Sequence, residues 1–299
     1  MKKKLIVLIL VVQIIFFGLF VTSCTNEVVI SYDGIYVDRF SDEAINQLKF
    51  VKNAYYVSKI VPEEIKTDKI VIPNTWKDGN KIVSIGPNVL GNNNKITDIV
   101  IQEGIMQIMD EAFYECSGLT SITIPNSVTK IGYGAFQYCS GLTSITIPDS
   151  VTEIGVRAFE GCSGLTSITI PNSLTEIGKN AFNGCWGLTS ITIPNSVTEI
   201  GKYAFWGCSG LTSITIPDSV TVIGGGAFYE CIGLTSITIP DSVTEIGEYA
   251  FNGCSGLAEI HYTGTRKQWR NVSKVDGWAY NCPLSVIHCT DGDIQYNIQ

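Results

Sequence analysis

Residues 135–155 read AFQYCSGLTSITIPDSVTEIG, and nearly the same sequence begins again at Ala158, Ala181, Ala204, Ala227 and Ala250. Aligned on the isoleucine that precedes the proline, units with a constant spacing begin at Ile101, Ile124, Ile147, Ile170, Ile193, Ile216 and Ile239. A unit this short has no second layer to cover its apolar side chains, so one copy is not expected to be stable alone. The repetition therefore predicts a solenoid in which each coil packs on the next.

One unit contains a strand followed by a turn. Leu142, Ile145 and Ile147 alternate with Ser144 and Thr146, a pattern typical of a strand with one buried face. The next proline donates no backbone hydrogen bond and ends the ladder. The sequence predicts parallel strands stacked along one side of the solenoid.

The other half of the unit carries Ala158, Phe159 and Cys162 at near-helical spacing, which predicts a short helical turn. The predicted fold class is an α/β repeat solenoid, a coil with a parallel β-sheet on one side and short helical turns on the other. A right-handed β-helix is the alternative, since it also stacks parallel strands with internal ladders.

Stacking places identical side chains above one another, and one aromatic residue per coil is expected to form a continuous internal ladder: Phe113, Phe136, Phe159, Phe182, Phe205, Phe228 and Phe251. One cysteine per coil repeats in the same way and is interpreted as a small buried apolar residue. Parallel Cβ vectors disfavour disulfides in such a ladder, and a straight column does not surround a metal ion. A disulfide between Cys282 and Cys289, outside the ladder, is left open.

The first 24 residues have the layout of a signal peptide, with three lysines, an apolar run from Leu5 to Val21 and small residues before Cys24. The apolar run would span only ~25 Å as a helix, against ~30 Å for a bilayer core. Its ending, Val21-Thr22-Ser23-Cys24, resembles a bacterial lipobox. The resemblance implies acylation of Cys24 and a surface-exposed lipoprotein of the bacterial envelope, with the outer membrane as the expected location.

The repeat pattern C-x-G-L-T-S-I-T-I-P-x-S-V-T-x-I-G-x-x-A-F-x-x-C resembles the BspA-like leucine-rich repeat of bacterial surface proteins. This resemblance implies a right-handed leucine-rich-repeat solenoid with a parallel sheet on its concave side, and roles in adhesion and in binding to host proteins or neighbouring cells. The predicted organisation is a signal peptide at 1–23, a linker and β-rich cap at 24–69, the repeat array at 70–261, and a degenerate repeat and cap at 262–299.

Charge and motifs argue against several functions. Residues 101–261 carry 4 Lys/Arg and 15 Asp/Glu, and an acidic surface repels phosphate backbones, so nucleic-acid binding is not expected. The sequence contains no catalytic or phosphate-binding motif and only two histidines. It therefore predicts a non-enzymatic protein with no cofactor and no metal.

The exposed strand face is the predicted binding surface. The candidate residues form a carpet of paired hydroxyl groups, which is suited to a protein or glycan ligand: Ser144, Thr146, Ser167, Thr169, Ser190, Thr192, Ser213 and Thr215. At its C-terminal end the carpet gives way to Glu259, His261 and His288, with Trp269 nearby. Trp186 and Trp206 depart from the repeat and are candidates for exposed aromatics. Two alternatives are an envelope spacer without a specific ligand and an ice-binding surface.

Overall fold

The computed structural model of the chain describes residues 30–32, 35–39, 55–60, 68–75 and 79–296. They form a parallel-strand solenoid of about 10 turns, which confirms the predicted repeat solenoid of the leucine-rich-repeat type. The predicted signal peptide at 1–23 and the predicted lipidation site Cys24 lie outside the described residues. In the described part of the chain, no helix is both long and apolar enough to cross a membrane.

Short parallel strands form one side of the solenoid, which we call the front sheet. They are Lys69–Ile72, Asp98–Ile101, Ser121–Thr123, Ser144–Thr146, Ser167–Thr169, Ser213–Thr215, Ser236–Ile239, Glu259–Tyr262 and Val286–Cys289. Equivalent residues pair, as in Ile145 with Ile168, and the coil at Thr192 joins through a bridge to Thr169. A slip of one residue would expose the buried isoleucines, so burial sets this register.

A second set of parallel strands, the side sheet, occupies the segment that follows the turn after each front strand. They are Tyr55–Ile60, Ile82–Ile85, Gln107–Ile108, Lys130–Ile131, Glu153–Ile154, Glu176–Ile177, Glu199–Ile200, Val222–Ile223, Glu245–Ile246 and Ser273–Lys274. The antiparallel pair Ile30–Tyr32 and Ile35–Arg39 extends it at the N-terminal end through Tyr55–Ile60. The second sheet is a feature shared with the β-helix alternative.

The third side, which we call the turn face, runs from the side strand to the next front strand, as at residues 155–166. The helical turns predicted here do not form: the residues make successive tight turns. The cause lies in alternating hydrogen bonds. The Phe159 amide donates to the Ala181 carbonyl of the next coil over 3.0 Å, whereas the Cys162 amide donates to Phe159 three residues back over 3.2 Å. An α-helix needs consecutive bonds to the fourth preceding carbonyl, and here every second amide points to the neighbouring coil.

The core contains the column of phenylalanines. Successive rings from Phe113 to Phe251 stack with centroid distances of 5.4, 5.4, 5.7, 5.5, 5.4 and 5.3 Å. All seven side chains are buried, and Trp278 closes the column edge-on against Phe251 at 6.0 Å. Aromatic contacts of this kind stabilise by about 0.5–1.5 kcal/mol beyond the burial of area.

The cysteines form a second buried column. Each thiol donates to a backbone carbonyl of the preceding coil, as Cys162 does to Phe136 over 3.0 Å. Burial raises the pKa of the Cys162 and Cys208 thiols to about 12. The cysteines of the described residues, including Cys282 and Cys289, are free, so the disulfide that the sequence left open does not form.

The C-terminal end closes with a helix and an antiparallel strand. The helix Arg266–Asn271 begins at a capping box. The backbone N–H of Gln268 donates to Thr265 Oγ1, and the backbone N–H of Thr265 donates to Gln268 Oε1. The strand Gly292–Gln295 then pairs with Val286–Cys289 and covers the last edge of the front sheet. This closure protects an edge that would otherwise be open to pairing.

Candidate binding surface

The hydroxyl groups predicted as a carpet lie on the outer surface of the front sheet. In the strands Ser144–Thr146, Ser167–Thr169 and Ser213–Thr215 the central isoleucine is buried and the two flanking side chains are exposed. The register pairs Ser144 with Ser167 and Thr146 with Thr169, so the hydroxyls stand in two columns. Ser190, Thr192, Ser213 and Thr215 are exposed as well, and they continue the columns toward the C-terminus.

A third column of hydroxyls, just before the front strands, has a structural role. Thr166 Oγ1 donates to the Thr143 carbonyl over 3.1 Å, and the same bond recurs from Thr189 and Thr235 to the preceding coil. Among the described residues, no side-chain hydrogen bond within the chain involves the eight carpet residues. The carpet hydroxyls therefore keep their donors and acceptors for solvent or a ligand, unlike the threonines beside them.

At the C-terminal end the front sheet brings together three residues that the sequence singled out. Adjacent strands place His261 beside His288, with the two rings stacked at 5.0 Å. Glu259 contacts both rings: its Oε1 lies 3.2 Å from His261 Nε2, and its Oε2 lies 3.5 Å from His288 Nε2.

The sequence reasoning missed a fourth member of this cluster, Asp293. Its Oδ1 lies 2.9 Å from His288 Nδ1 because the closing antiparallel strand pairs the two residues. This hydrogen bond raises the pKa of His288 above its ordinary value. The local signal that could have found it is Asp291-Gly292, a dipeptide typical of a β-hairpin turn, which lies where the chain turns back. We call Glu259, His261, His288 and Asp293 the end cluster.

The end cluster is a polar contact point rather than a recognisable catalytic or metal site. Its members are exposed to solvent, which weakens the electrostatic effects that catalysis requires. Within the described residues, no group of three or more His, Cys, Asp or Glu side chains has an arrangement that could hold a metal ion. What the cluster offers a ligand is two carboxylates and two imidazoles at the C-terminal end of the uncharged hydroxyl columns.

The tryptophans differ in their availability. The sequence analysis placed Trp269 near the predicted site. Its side chain is buried in the cap and packs edge-on against Tyr262, with ring centroids 5.0 Å apart. It is therefore a core residue, and its candidacy was wrong. Trp186 and Trp206 are exposed on the turn face, with 62% and 38% of their surfaces accessible.

Comparisons with known proteins point to one kind of repeat. A family model described as "BspA type Leucine rich repeat region (6 copies)" matches residues 19–143, 83–211, 131–258 and 175–287. The fold is similar to the crystal structure of a leucine-rich repeat protein from Bacteroides ovatus ATCC 8483, with 27% identity, a TM-score of 0.63, and coverage of 88% of this chain and 71% of that one.

A leucine-rich repeat protein of T. pallidum is also similar, at 29% identity and a TM-score of 0.52, over 70% of this chain and 88% of that one. No curated protein is significantly similar to the chain.

Proposed function

The chain belongs to the BspA-type leucine-rich repeat family, and we propose that it is a lipid-anchored, non-enzymatic protein of the bacterial cell surface that binds a protein or glycan through its front sheet. Family membership is consistent with a surface or protein-interaction role. Adhesion to a host or neighbouring cell is the form of that role that the front face supports best.

The observation that carries this proposal is the contrast between two kinds of hydroxyl on one face. The hydroxyls of Thr166 and its equivalents donate to backbone carbonyls, whereas those of Ser167 and Thr169 are exposed and have no hydrogen-bond partner among the described residues. A rigid array of free donors and acceptors binds a polar ligand without first breaking internal bonds, and little conformational entropy is lost on binding.

The proposed anchor suits this geometry. Cys24 precedes the first described strand at Ile30 by a few residues, and that strand belongs to the N-terminal end of the solenoid. Acyl chains on Cys24 would hold this end at the membrane, since each buried methylene contributes about 0.8 kcal/mol. The end cluster would then lie at the end farthest from the membrane, where a partner on another surface can reach it.

A binding screen tests the front face. Intact cells that express the chain are applied to a panel of extracellular-matrix proteins and to a glycan array, together with cells that express Thr146→Lys/Thr169→Lys. We expect a ligand that the wild type captures and the front-face variant loses. Thr152→Lys/Thr175→Lys is the matched control, because it makes the same two substitutions at exposed threonines beside the side sheet.

A ligand that both variants retain would place binding elsewhere, and capture of no ligand at all would favour the envelope spacer. The anchor is tested separately with Cys24→Ala, which we expect to lose labelling by radioactive palmitate and to be released from the cell.

A further inference from the structure

A second surface, on the turn face, has the features of a binding groove. It has a volume of about 670 Å³ and extends along six successive coils, whose equivalent residues line it: Glu115, Tyr138, Gly161, Gly184, Gly207 and Glu230. The indoles of Trp186 and Trp206 also line the groove. The groove is separate from the front sheet, so a ligand bound here would not depend on the front-face function.

The backbone at this repeated position favours glycine. Gly161, Gly184 and Gly207 have φ angles of 72°, 71° and 70°, in the left-handed region that is unfavourable for other residues. Glu115, Tyr138 and Glu230 nevertheless occupy the same position with φ angles of 54°, 61° and 56°.

Glycine would be the less strained residue at these three positions, and all three side chains line the groove. Other turn-face residues outside the groove lining also have positive φ angles, such as Arg157, Asn180 and Tyr203. What distinguishes the groove is therefore the set of side chains that line it.

Trp186 departs from the repeat in the same region. The residue after the core cysteine is serine in most coils, as at Ser163 and Ser209, but in this coil it is Trp186. Its indole is the most exposed of the large apolar side chains described. Trp206 lies one coil further on, where its Nε1 donates to Glu230 Oε2 over 3.5 Å. The two indoles and the carboxylate form one continuous surface.

The charge of the groove favours a cation. Glu115, Glu160 and Glu230 line it, and its lining contains no lysine or arginine. Glu160 is held in place because its Oε2 accepts from Gln137 Nε2 over 3.1 Å and lies 3.4 Å from Arg157 Nε. Glu160 is thus already paired with a basic side chain. A neutral sugar could stack on the indoles but would leave Glu115 and Glu230 without a counter-charge in the groove, and an anionic ligand would be repelled.

We propose that this turn-face groove binds an extended segment of a partner protein that carries lysine or arginine at alternate positions. Coils spaced by ~4.8 Å place the outermost carboxylates, Glu115 and Glu230, ~24 Å apart, which an extended peptide at ~3.4 Å per residue spans with about seven residues. Basic side chains on one side of such a peptide meet the carboxylates and the face of Trp186, an arrangement that combines ion pairing with cation–π attraction.

A labelled peptide tests this proposal. The full chain, purified in detergent, is titrated into fluorescein-labelled Lys-Thr-Lys-Thr-Lys-Thr-Lys-Thr-Lys, and binding is measured by fluorescence anisotropy. We expect saturable binding that weakens as salt rises from 50 to 500 mM, and no binding of the peptide with glutamate in place of lysine. Absence of saturable binding to the lysine peptide would overturn the proposal.

Three variants separate the groove from general attraction to an acidic protein. Trp186→Ser restores the usual residue of the repeat and leaves the charge unchanged, and we expect its affinity to fall about five-fold. Glu115→Gly and Glu230→Gly should also bind more weakly while melting at the same or a higher temperature, because glycine relieves the strain. Ile232→Ser is the matched control, since it makes the same reversion to serine at an exposed position outside the groove lining.

Equal affinity of the wild type and Trp186→Ser would refute the site. Trp206→Asn, which introduces the residue found at Asn183 and Asn252, provides a second variant if Trp186→Ser folds poorly. Cellohexaose is titrated in parallel. Binding of this sugar that depends on Trp186, without binding of the peptide, would replace the proposal with a glycan site.

Discussion

The front sheet and the turn face are built from the same coils, yet one repeats nearly unchanged and the other varies from coil to coil. The outward residues of the front strands are serine and threonine at Ser144–Thr146, Ser167–Thr169 and Ser213–Thr215. The residue after the core cysteine on the turn face is serine at Ser163, but tryptophan at Trp186. Packing constrains the inward side chains of both faces, so this difference lies in the side chains that packing leaves free.

The difference teaches that repetition and variation provide two kinds of surface. Identical free hydroxyls in register make an extended platform on which no single coil offers a ligand a distinct binding position. Variation on the turn face brings two indoles and three carboxylates into one groove. If the two faces share one core, a change in that core should destabilise both, whereas changes at surface positions should have smaller effects.

The largest effect is expected from Phe182→Ala, because the phenylalanine column supports both faces. Removing the ring leaves a cavity between Phe159 and Phe205, and unfolding free energy should fall by about 3–5 kcal/mol. Coupling between the two halves of the solenoid should weaken as well, which would broaden the denaturant transition. Guanidinium denaturation followed by circular dichroism measures both effects. Lys179→Ala, an exposed change in the same coil, should have little effect.

Two glycines of one coil distinguish the tightly packed and the open backbone of the turn face. A Cβ at Gly187, at the end of the turn face, would lie 2.7 Å from the Ser163 carbonyl oxygen, whereas one at Gly184, which lines the groove, would meet nothing closer than 3.6 Å. Gly187→Ala should therefore reduce the unfolding free energy by about 2–3 kcal/mol through a backbone clash. Gly184→Ala should reduce it by only about 1 kcal/mol, the penalty for a left-handed backbone. Equal losses, measured by guanidinium denaturation, would show that the backbone packs equally tightly at both positions.

The sequence predicts the front face better than the turn face for a physical reason. Alternation of Ile145 with Ser144 and Thr146 is a local signal, and stacking like on like then determines the register. The Ala158, Phe159 and Cys162 spacing resembles a helix locally, but the Phe159 amide bonds to Ala181 in the next coil. A local pattern does not reveal a partner that distant, so the predicted helical turns were wrong.

The candidate site could be predicted from the sequence only in part. Glu259, His261 and His288 could be grouped, since each lies at an outward position of a recognisable strand. Asp293 was missed, although Asp291-Gly292 is a hairpin signal that could have predicted the antiparallel return of the chain. The groove was not predicted: the sequence pointed only to its two tryptophans, and the contact between Trp206 and Glu230 depends on the stacking of neighbouring coils.

A smaller effect should separate the two kinds of threonine on the front side. The triple change of Thr166, Thr189 and Thr235 to valine removes three hydroxyl-to-carbonyl bonds. It should lower the unfolding free energy by about 1.5 kcal/mol, because each exposed bond contributes about 0.5 kcal/mol. The same change at Thr169, Thr192 and Thr238, in the same coils, should be close to neutral. A comparable loss in both variants, measured by urea denaturation, would mean that the carpet hydroxyls are not free.

The smallest effect concerns the charged C-terminal end of the front face. Asp293 raises the pKa of His288 above the ordinary value of about 6.5. Protonated His288 therefore stabilises the folded end cluster below that ordinary value, and this stabilisation disappears as pH rises through the raised pKa. Titration of the imidazole C–H resonances by NMR should show a lower pKa in Asp293→Asn and a smaller decrease in Glu259→Gln, since Asp293 makes the shorter contact. An unchanged titration in Asp293→Asn would mean that the closing strand does not hold Asp293 against His288. The side chains at this end of the front face would then be as free of contacts within the chain as the carpet hydroxyls are.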